Sequence, residues 1–289
     1  MKILFFTPHA DDIELGVPFI YLKSLRLANE VVEVIMTNNE YGTTDDEFKG
    51  ERLTKIRELE VKKANSLFEN ATKNEIRVIR MGYIDGHLPL NKSSVHNVAN
   101  LLLREKPNII FTPDPWYAQD FHADHLNTGL LIYFSLKKIG KSFKPQRLFY
   151  YYSTKNNYYL TSNWKDFNIV EKAIASHKSQ YSPLESKLIV WFYNKFNIFR
   201  HYLKRGKFSE SFREQKFENN IPEYPPKFTE MPFKDRMFYY ILSKLTIWGA
   251  VKFYTISPEA LGLNINYDDK DILKLKDKKY QYKYKTKRK

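Results

Sequence analysis

Apolar and polar positions along the first half of the chain follow two different periods. Short apolar runs that stop at proline, glycine or polar residues predict buried strands. These runs cover residues 2–8, 31–37, 76–82, 107–113 and 146–154. Between them, apolar residues recur at steps of three and four, which predicts helices over 16–29, 46–68, 93–106 and 124–140. Strands that alternate with helices predict an α/β fold with a Rossmann-like, mostly parallel sheet and helices on both faces.

Individual residues predict where two of these helices begin and end. Ser93 or Ser94 could cap the third helix, because a serine hydroxyl accepts a hydrogen bond from a free backbone N–H of the first turn. Gly140 could end the fourth helix, because glycine readily adopts the backbone conformation that closes a helix.

Composition narrows the class of protein and the kinds of site. The 289 residues are 43% hydrophobic, which is typical of a globular chain. Cysteine is absent, so disulfides, thiol nucleophiles and cysteine-ligated metals are excluded, and a metal site would need His, Asp or Glu. Neither a GxGxxG nor a Walker sequence is present, so the usual signals of nucleotide binding are missing.

The net charge of +14 is concentrated in the second half of the chain. Residues 1–136 carry a net charge of −4, residues 137–217 of +12 and residues 218–289 of +6. Aromatic and basic residues are interleaved over 188–207 and 238–254, and the chain ends in a basic tail. One hypothesis is a helical, aromatic and basic C-terminal extension with a solvated tail. The alternative is peripheral association with an anionic membrane, which would suit a lipid-linked substrate.

The ends of the chain and its longest apolar runs bear on localisation and partners. The chain begins directly with a strand and lacks the features of a signal peptide, and no apolar run reaches about 18 residues. We therefore expect a cytoplasmic protein, with the membrane surface as the alternative. Interleaved Tyr and Lys also occur in proteins that bind single-stranded nucleic acids, but the motifs described next lead us to expect no nucleic-acid partner.

Polar side chains with metal-binding chemistry follow two of the predicted strands. His9, Asp11 and Asp12 come directly after the first strand, and "HADH", residues 122–125, follows the strand over 107–113. Ligands of such sheets bind beyond the carboxyl ends of the strands, so about 110 residues of separation disappear if the two strands are neighbours. A His/Asp/His set suits a divalent zinc ion. The simpler interpretation of the first group is an acidic helix N-terminus.

Six short segments together resemble the PIG-L/LmbE-like N-deacetylases. They are "PHADDIELG" at 8–16, "RELEVKKA" at 57–64, "MGYIDGHL" at 81–88, "HADH" at 122–125, "ASHKSQ" at 175–180 and "SESFR" at 209–213. The resemblance covers roughly residues 1–217, which we expect to form the catalytic domain. Residues 218–289 would then be a C-terminal extension with a basic tail.

The resemblance implies a role for six residues of the two central motifs. It makes His9, Asp12 and His125 the ligands of Zn²⁺ or another divalent metal. It makes Asp11 the general base and His122 the residue that protonates the leaving amine or stabilises the oxyanion. Asp124 would orient His122, and an N-cap role for Asp124 is an alternative that could coexist.

Three further residues would lie near the substrate on the same resemblance. They are Arg57, Asp85 and His177, and each has a plainer alternative. Arg57 could pair with Glu58 or Glu60 at the surface. Asp85 and Gly86 form a natural turn pair, and His177 could be a hydrogen-bonded structural histidine.

The chain departs from the family pattern at two positions. Most relatives have proline where Ala10 stands, which removes a backbone restraint but no chemistry. Some relatives have a tyrosine that assists the oxyanion at the position of Asp120, and the nearest tyrosine here is Tyr117. The second oxyanion donor is therefore left open.

The activity that the resemblance implies is hydrolysis of an N-acetyl group from an N-acetylglucosamine-type sugar conjugate. An amidohydrolase acting on another acylated small molecule, or a non-catalytic relative that binds membranes or polyanions, are the alternative hypotheses. The sequence indicates neither the aglycone nor the oligomeric state.

Overall fold

The structure is a computed structural model. It describes residues 1–27, 29–43, 47–120, 122–161, 166–182, 184–188, 209–219, 221–223, 233 and 237. The aromatic and basic segments that we expect to form the extension lie almost entirely outside these residues. That expectation stays a prediction, as does the division of the chain at residue 217.

Nine strands and six α-helices are formed by the described residues. The strands are β1 (Lys2–Thr7), β2 (Glu30–Thr37), β3 (Ile76–Tyr83), β4 (Ile109–Pro113), β5 (Arg147–Tyr151), β6 (Tyr158–Thr161), β7 (Ser209–Glu214), β8 (Phe217–Glu218) and β9 (Ile221–Pro222). The helices are α1 (Asp12–Gly16), α2 (Pro18–Arg26), α3 (Glu51–Thr72), α4 (Lys92–Glu105), α5 (Ala123–Ile139) and α6 (Phe167–Ile174). A short 3₁₀ turn, Gly140–Ser142, follows α5.

Seven strands form one sheet in the order β3-β2-β1-β4-β5-β7-β6. The first five pair in parallel, and β7 pairs antiparallel with both β5 and β6. The mostly parallel, Rossmann-like sheet is thus confirmed, whereas the antiparallel edge was not predicted. The order of strands reverses between β1 and β4, so the crevice typical of such sheets opens beyond these two strands.

Apolar layers cover both faces of the sheet. Along β1, Leu4 and Phe6 face the layer that contains α4 and α5, whereas Ile3 and Phe5 face the layer that contains α2, α3 and α6. A strand with two buried faces needs apolar residues at every position, which explains the uninterrupted run in the sequence. Helices on both faces are therefore confirmed.

The helix ends differ from the sequence prediction at three places. The helix over 16–29 is broken at Val17, because Pro18 lacks an N–H and starts α2 as its first residue. Asn91 caps α4 and Ser94 completes a capping box as its third residue, so neither serine is the cap itself. Helix α3 begins at Glu51, five residues later than predicted. Gly140 ends α5 with φ of 57°, as predicted.

The segment after β7 continues the ordered chain across the predicted domain boundary. Phe217 pairs with Pro222, and Glu218 pairs with Ile221. None of the helices in the described residues is long and apolar enough to cross a membrane.

Glu33 on β2 supports a prediction about stability and pH. Burial, with a further contribution from Glu14, raises the pKa of Glu33 from 4.5 to about 7. Because the native state then holds a proton that the unfolded chain releases, Glu33 lowers the free energy of unfolding as the pH rises from about 4.5 to about 7. Glu33→Gln should increase that free energy by up to about 3 kcal/mol at pH 8 and change it little at pH 4. Urea unfolding of both proteins at each pH measures this, and an equal difference at the two pH values would contradict it.

Candidate active site

The two histidine motifs meet beyond the carboxyl ends of β1 and β4. These strands are direct neighbours, with Ile3 beside Ile109. The rings of His9 and His125 lie with centroids 5.3 Å apart, and those of His9 and His122 lie 4.7 Å apart. The expectation that 110 residues of separation disappear in the fold is therefore confirmed.

His9, Asp12 and His125 turn their polar atoms towards one another. Nε2 of His125 lies 3.3 Å from Nδ1 of His9 and 3.3 Å from Oδ1 of Asp12. Nδ1 of His9 lies 3.6 Å from Oδ2 of Asp12. All three side chains are buried.

These separations fit a divalent metal. Zinc bonds of about 2.0–2.1 Å in tetrahedral geometry place neighbouring ligand atoms about 3.3 Å apart. Two other groups also have donor atoms within 4.8 Å of one another, namely His9/His122/His125 and His9/Asp85/Asp124. The first of these overlaps with the pair of ring nitrogens above. The second contacts the opposite nitrogen of His9, because Nε2 of His9 lies 3.2 Å from Asp85 and 3.3 Å from Asp124.

Asp11 is separated from this group and held by two donors. It occupies the N-cap position of α1 but makes no capping hydrogen bond, so the plain helix-cap interpretation does not apply to it. Arg57 donates from Nη2 to Oδ1 over 2.7 Å, and the Tyr181 hydroxyl donates to Oδ2 over 2.6 Å. Burial alone would raise the pKa of Asp11, but the Arg57 charge, helped by His177 and Tyr181, holds it well below its usual range.

Arg57 does not form the surface ion pair that the sequence allowed. Its side chain is only 3% exposed and it pairs with Asp11. Glu58 pairs with Arg80, while Glu60 accepts hydrogen bonds from Ser179. Gly42 packs over the guanidinium, since a Cβ on Gly42 would lie 2.7 Å from Nη1 of Arg57. Arg57 therefore belongs to the floor of the site.

His122 caps the N-terminus of α5. The backbone N–H of Asp124 donates to Nδ1 of His122 over 3.2 Å, which assigns the ring proton to Nε2. Burial and then the charges of His9 and His125 lower the pKa of His122 to about 4. A bound divalent cation would act in the same direction. His122 is therefore a neutral hydrogen-bond donor at pH 7.

Asp124 is neither the N-cap nor a carboxylate partner of His122. Helix α5 begins at Ala123, and His122 is its cap. The Asp124 carboxylate accepts hydrogen bonds from the N–H groups of Gly86 (2.6 Å) and Leu88 (3.0 Å) and faces His9. The N-cap alternative was wrong, and Asp124 reaches His122 only through its backbone.

Asp85 lies inside the site rather than on an open surface. It is 5% exposed, faces His9 and accepts a hydrogen bond from the N–H of Tyr41 over 3.1 Å. Burial alone would raise its pKa, but the hydrogen bond and charge of His9 lower it to about 2. Gly86 has φ of 75°, so the pair also forms the turn that the sequence suggested.

His177 lies behind Asp11 and is fully buried. Its Nε2 is 3.4 Å from Oε2 of Glu14, and this carboxylate raises the pKa of His177 even though burial lowers it. A ring without exposed surface offers no atom to a substrate. The geometry thus favours the structural alternative for His177 over the predicted substrate contact.

Sequence reasoning missed three residues that contact the predicted site. Tyr181, whose hydroxyl binds Asp11, follows the "ASHKSQ" segment by one residue, and its position was the only available signal. Tyr152 stacks its ring on His125 with centroids 5.6 Å apart. Asp120, noted only as a departure from the family pattern, contacts both His122 and His125.

Comparison with known proteins gives one family match and one curated relative. The model of the PIG-L family, described as GlcNAc-PI de-N-acetylase, matches residues 4–134, which contain all the predicted site residues except His177. A diacetylchitobiose deacetylase from Thermococcus kodakarensis is 27% identical over 193 residues, covering 62% of this chain and 70% of the relative.

Solved structures with the same fold include proteins of different activities. The N,N'-diacetylchitobiose deacetylase from Pyrococcus horikoshii, complexed with an inhibitor, superposes with a TM-score of 0.66 and 26% identity over 74% of this chain and 83% of that one. A 4-carboxy-2-hydroxymuconate hydratase from Pseudomonas putida superposes with a TM-score of 0.60 and 10% identity over 75% and 97%. The second similarity concerns the fold alone, so the activity has to be argued from the site.

Proposed function

The chain carries a domain of the PIG-L family, and on that premise we propose that it is a metal-dependent N-deacetylase of N-acetylglucosamine-type sugar conjugates. The single observation that carries the proposal is the convergence of His9, Asp12 and His125, with Asp11 and His122 beside them. The products would be acetate and a free amino sugar.

His9, Asp12 and His125 would hold the metal through Nδ1, a carboxylate oxygen and Nε2. Two imidazoles and a carboxylate are a donor set that zinc uses in catalytic sites with an open position, and other divalent ions accept it as well. A divalent ion held there would polarise the acetamide carbonyl and lower the pKa of a water. The second aspartate of the pair would then be free for proton transfer.

Asp11 would accept the proton of the attacking water. Its two donors, Arg57 and Tyr181, fix the carboxylate in one orientation and keep it ionised. Each oxygen has a second lone pair, so these hydrogen bonds do not block a water. The cost of a low pKa is weak basicity, which a water of lowered pKa offsets.

His122 would donate its Nε2 proton to the oxygen of the acetamide as negative charge develops there. A neutral imidazole whose Nδ1 accepts from the backbone is arranged for this role, and a preformed donor contributes most in a buried site. Of the two roles open to His122 on the sequence, oxyanion stabilisation fits the low pKa better than proton delivery by an imidazolium.

Arg57 and Asp85 support a sugar substrate less directly. Both line the floor of the site but are committed to Asp11 and His9, so we assign their contact with sugar hydroxyls as the weaker part of the proposal. The named substrate of two relatives, diacetylchitobiose, is an N-acetylglucosamine disaccharide. A lipid-linked conjugate remains within the same chemical class.

An assay of acetate release tests the proposal. Purified protein loaded with Zn²⁺ should deacetylate at least one of a panel of free and lipid-linked N-acetylglucosamine conjugates, and chelation should abolish the reaction. N-acylated amines without a sugar serve as the comparison. Exclusive cleavage of those amines would favour the amidohydrolase alternative, and no cleavage together with no bound divalent metal would contradict the proposal.

A further inference from the structure

Asp120 lies two residues before His122, and we propose that it is a positioning residue that orients His125 for metal binding. This inference rests on the proposed metal-dependent function and extends it to a residue outside the ligand set. It concerns the position where the chain departs from the family pattern.

The first observation is how the two nitrogens of His125 are used. Nε2 faces His9 and Asp12, each 3.3 Å away, whereas Nδ1 lies 3.2 Å from Oδ2 of Asp120. An imidazole that binds a metal through one nitrogen carries its proton on the other, and a carboxylate acceptor there fixes the tautomer and the ring orientation. His125 is 5% exposed, so water is a poor substitute for that acceptor.

The second observation is that Asp120 is itself fixed. Its Oδ1 accepts a hydrogen bond from the backbone N–H of His122 over 2.9 Å. One oxygen therefore shapes the turn before α5, and the other faces His125. A side chain held at one oxygen loses little further freedom when it accepts a second hydrogen bond.

The third observation is that the preceding loop is attached to the end of β5. Gln119 donates from its backbone N–H to the Tyr152 carbonyl and from Nε2 to the Ser153 carbonyl, both over 2.6 Å. Ala118 and Ser153 form a β-bridge, and Thr154 donates to the Tyr117 carbonyl over 2.7 Å. The sheet thus sets the position of Asp120.

The ring of His125 is held from a second side. Tyr152 stacks on it at 5.6 Å between centroids and an interplanar angle of 20°. Stacking restricts the tilt of the ring, and the Asp120 carboxylate fixes its rotation within that plane. His9 has a matching arrangement, since its Nε2 faces Asp85 and Asp124.

Asp120→Asn isolates the contact with His125. Asparagine keeps the oxygen that accepts from His122, but it presents an NH₂ group where Nδ1–H of His125 needs an acceptor. Loss of such a carboxylate partner typically weakens metal affinity by about 10–100-fold, and we expect a change of that size. Asp120→Ala, which also removes the turn contact, should weaken binding at least as much.

The measurement uses the full-length apo-protein titrated with Co²⁺ in competition with a chromophoric chelator. The absorption spectrum of bound Co²⁺ reports the geometry of its ligands, which a purely structural role for Asp120 would not change. Glu58→Gln is the control, because Glu58 pairs with Arg80 at the surface and should leave the affinity unchanged. Circular dichroism of Asp120→Asn confirms that the variant is folded before titration.

The outcomes separate this inference from the proposed function. Weaker Co²⁺ binding by Asp120→Asn with an altered spectrum supports the inference. Co²⁺ binding by Asp120→Asn with the affinity and spectrum of the wild type would overturn it and leave the proposed function standing. A wild-type protein that binds neither Co²⁺ nor Zn²⁺ would overturn both.

Discussion

Asparagine in place of Asp11 is expected to lower kcat for deacetylation by about 10²–10⁴-fold, the usual contribution of a positioned general base, and to leave the metal bound. The amide keeps the size of the carboxylate and one acceptor oxygen for Arg57 or Tyr181, so the geometry of the site should survive. It cannot take a proton from water at neutral pH. Acetate release and the metal content of the same preparation measure the two effects.

A matched control is available for this substitution. Asp166 forms a similar aspartate–arginine pair with Arg26, over 2.7 Å, away from the site. Asp166→Asn should retain activity, which separates loss of the base from loss of an ion pair. If Asp11→Asn kept more than about a tenth of the wild-type kcat, another group would have to be the base.

The parallel part of the fold could be predicted because its signals are local. Each strand from β1 to β5 is a nearly continuous apolar run, and the intervening helices have regular apolar spacing. Neighbouring strands β1 and β4 then bring the two histidine motifs to one crevice. Fold and location of the site both follow from these patterns.

The antiparallel edge could not be predicted because β7 is stabilised by distant partners. Its sequence, "SESFRE", is polar and resembles a surface segment. Glu210 is buried because it accepts from the N–H groups of Phe19 and Ile20 at the start of α2, and Arg213 is buried because it pairs with Asp114. Only the folded chain shows that these charges have partners.

The same limit applies to the site. The proposed ligands and Asp11 stand out as motifs, but the contacts of Tyr181 and Asp120 depend on how distant segments pack. Asp120 reaches His125 only because the loop before it is attached to residues 152–154. The sequence therefore identifies the atoms for chemistry better than the atoms that orient them.

Alanine in place of His125 is expected to abolish stoichiometric metal binding and, with it, deacetylation. The remaining His9 and Asp12 would provide two ligands where a catalytic zinc site uses three, so the loss should exceed the roughly 100-fold that an orienting residue costs. Metal analysis after dialysis should give about one divalent ion per chain for the wild type and far less for the variant. His96, an exposed histidine on α4, provides the control, because His96→Ala should retain both metal and activity.

Asp85→Asn completes this test, because it distinguishes the two groups that contain His9 and place a carboxylate beside it. If the metal binds at His9, Asp12 and His125, Asp85→Asn removes only a contact to Nε2 of His9 and should leave the metal bound, with affinity lowered by about 10–100-fold at most. If the metal instead binds at His9, Asp85 and Asp124, the order reverses. Asp85→Asn would then lose the ion, and His125→Ala would keep it.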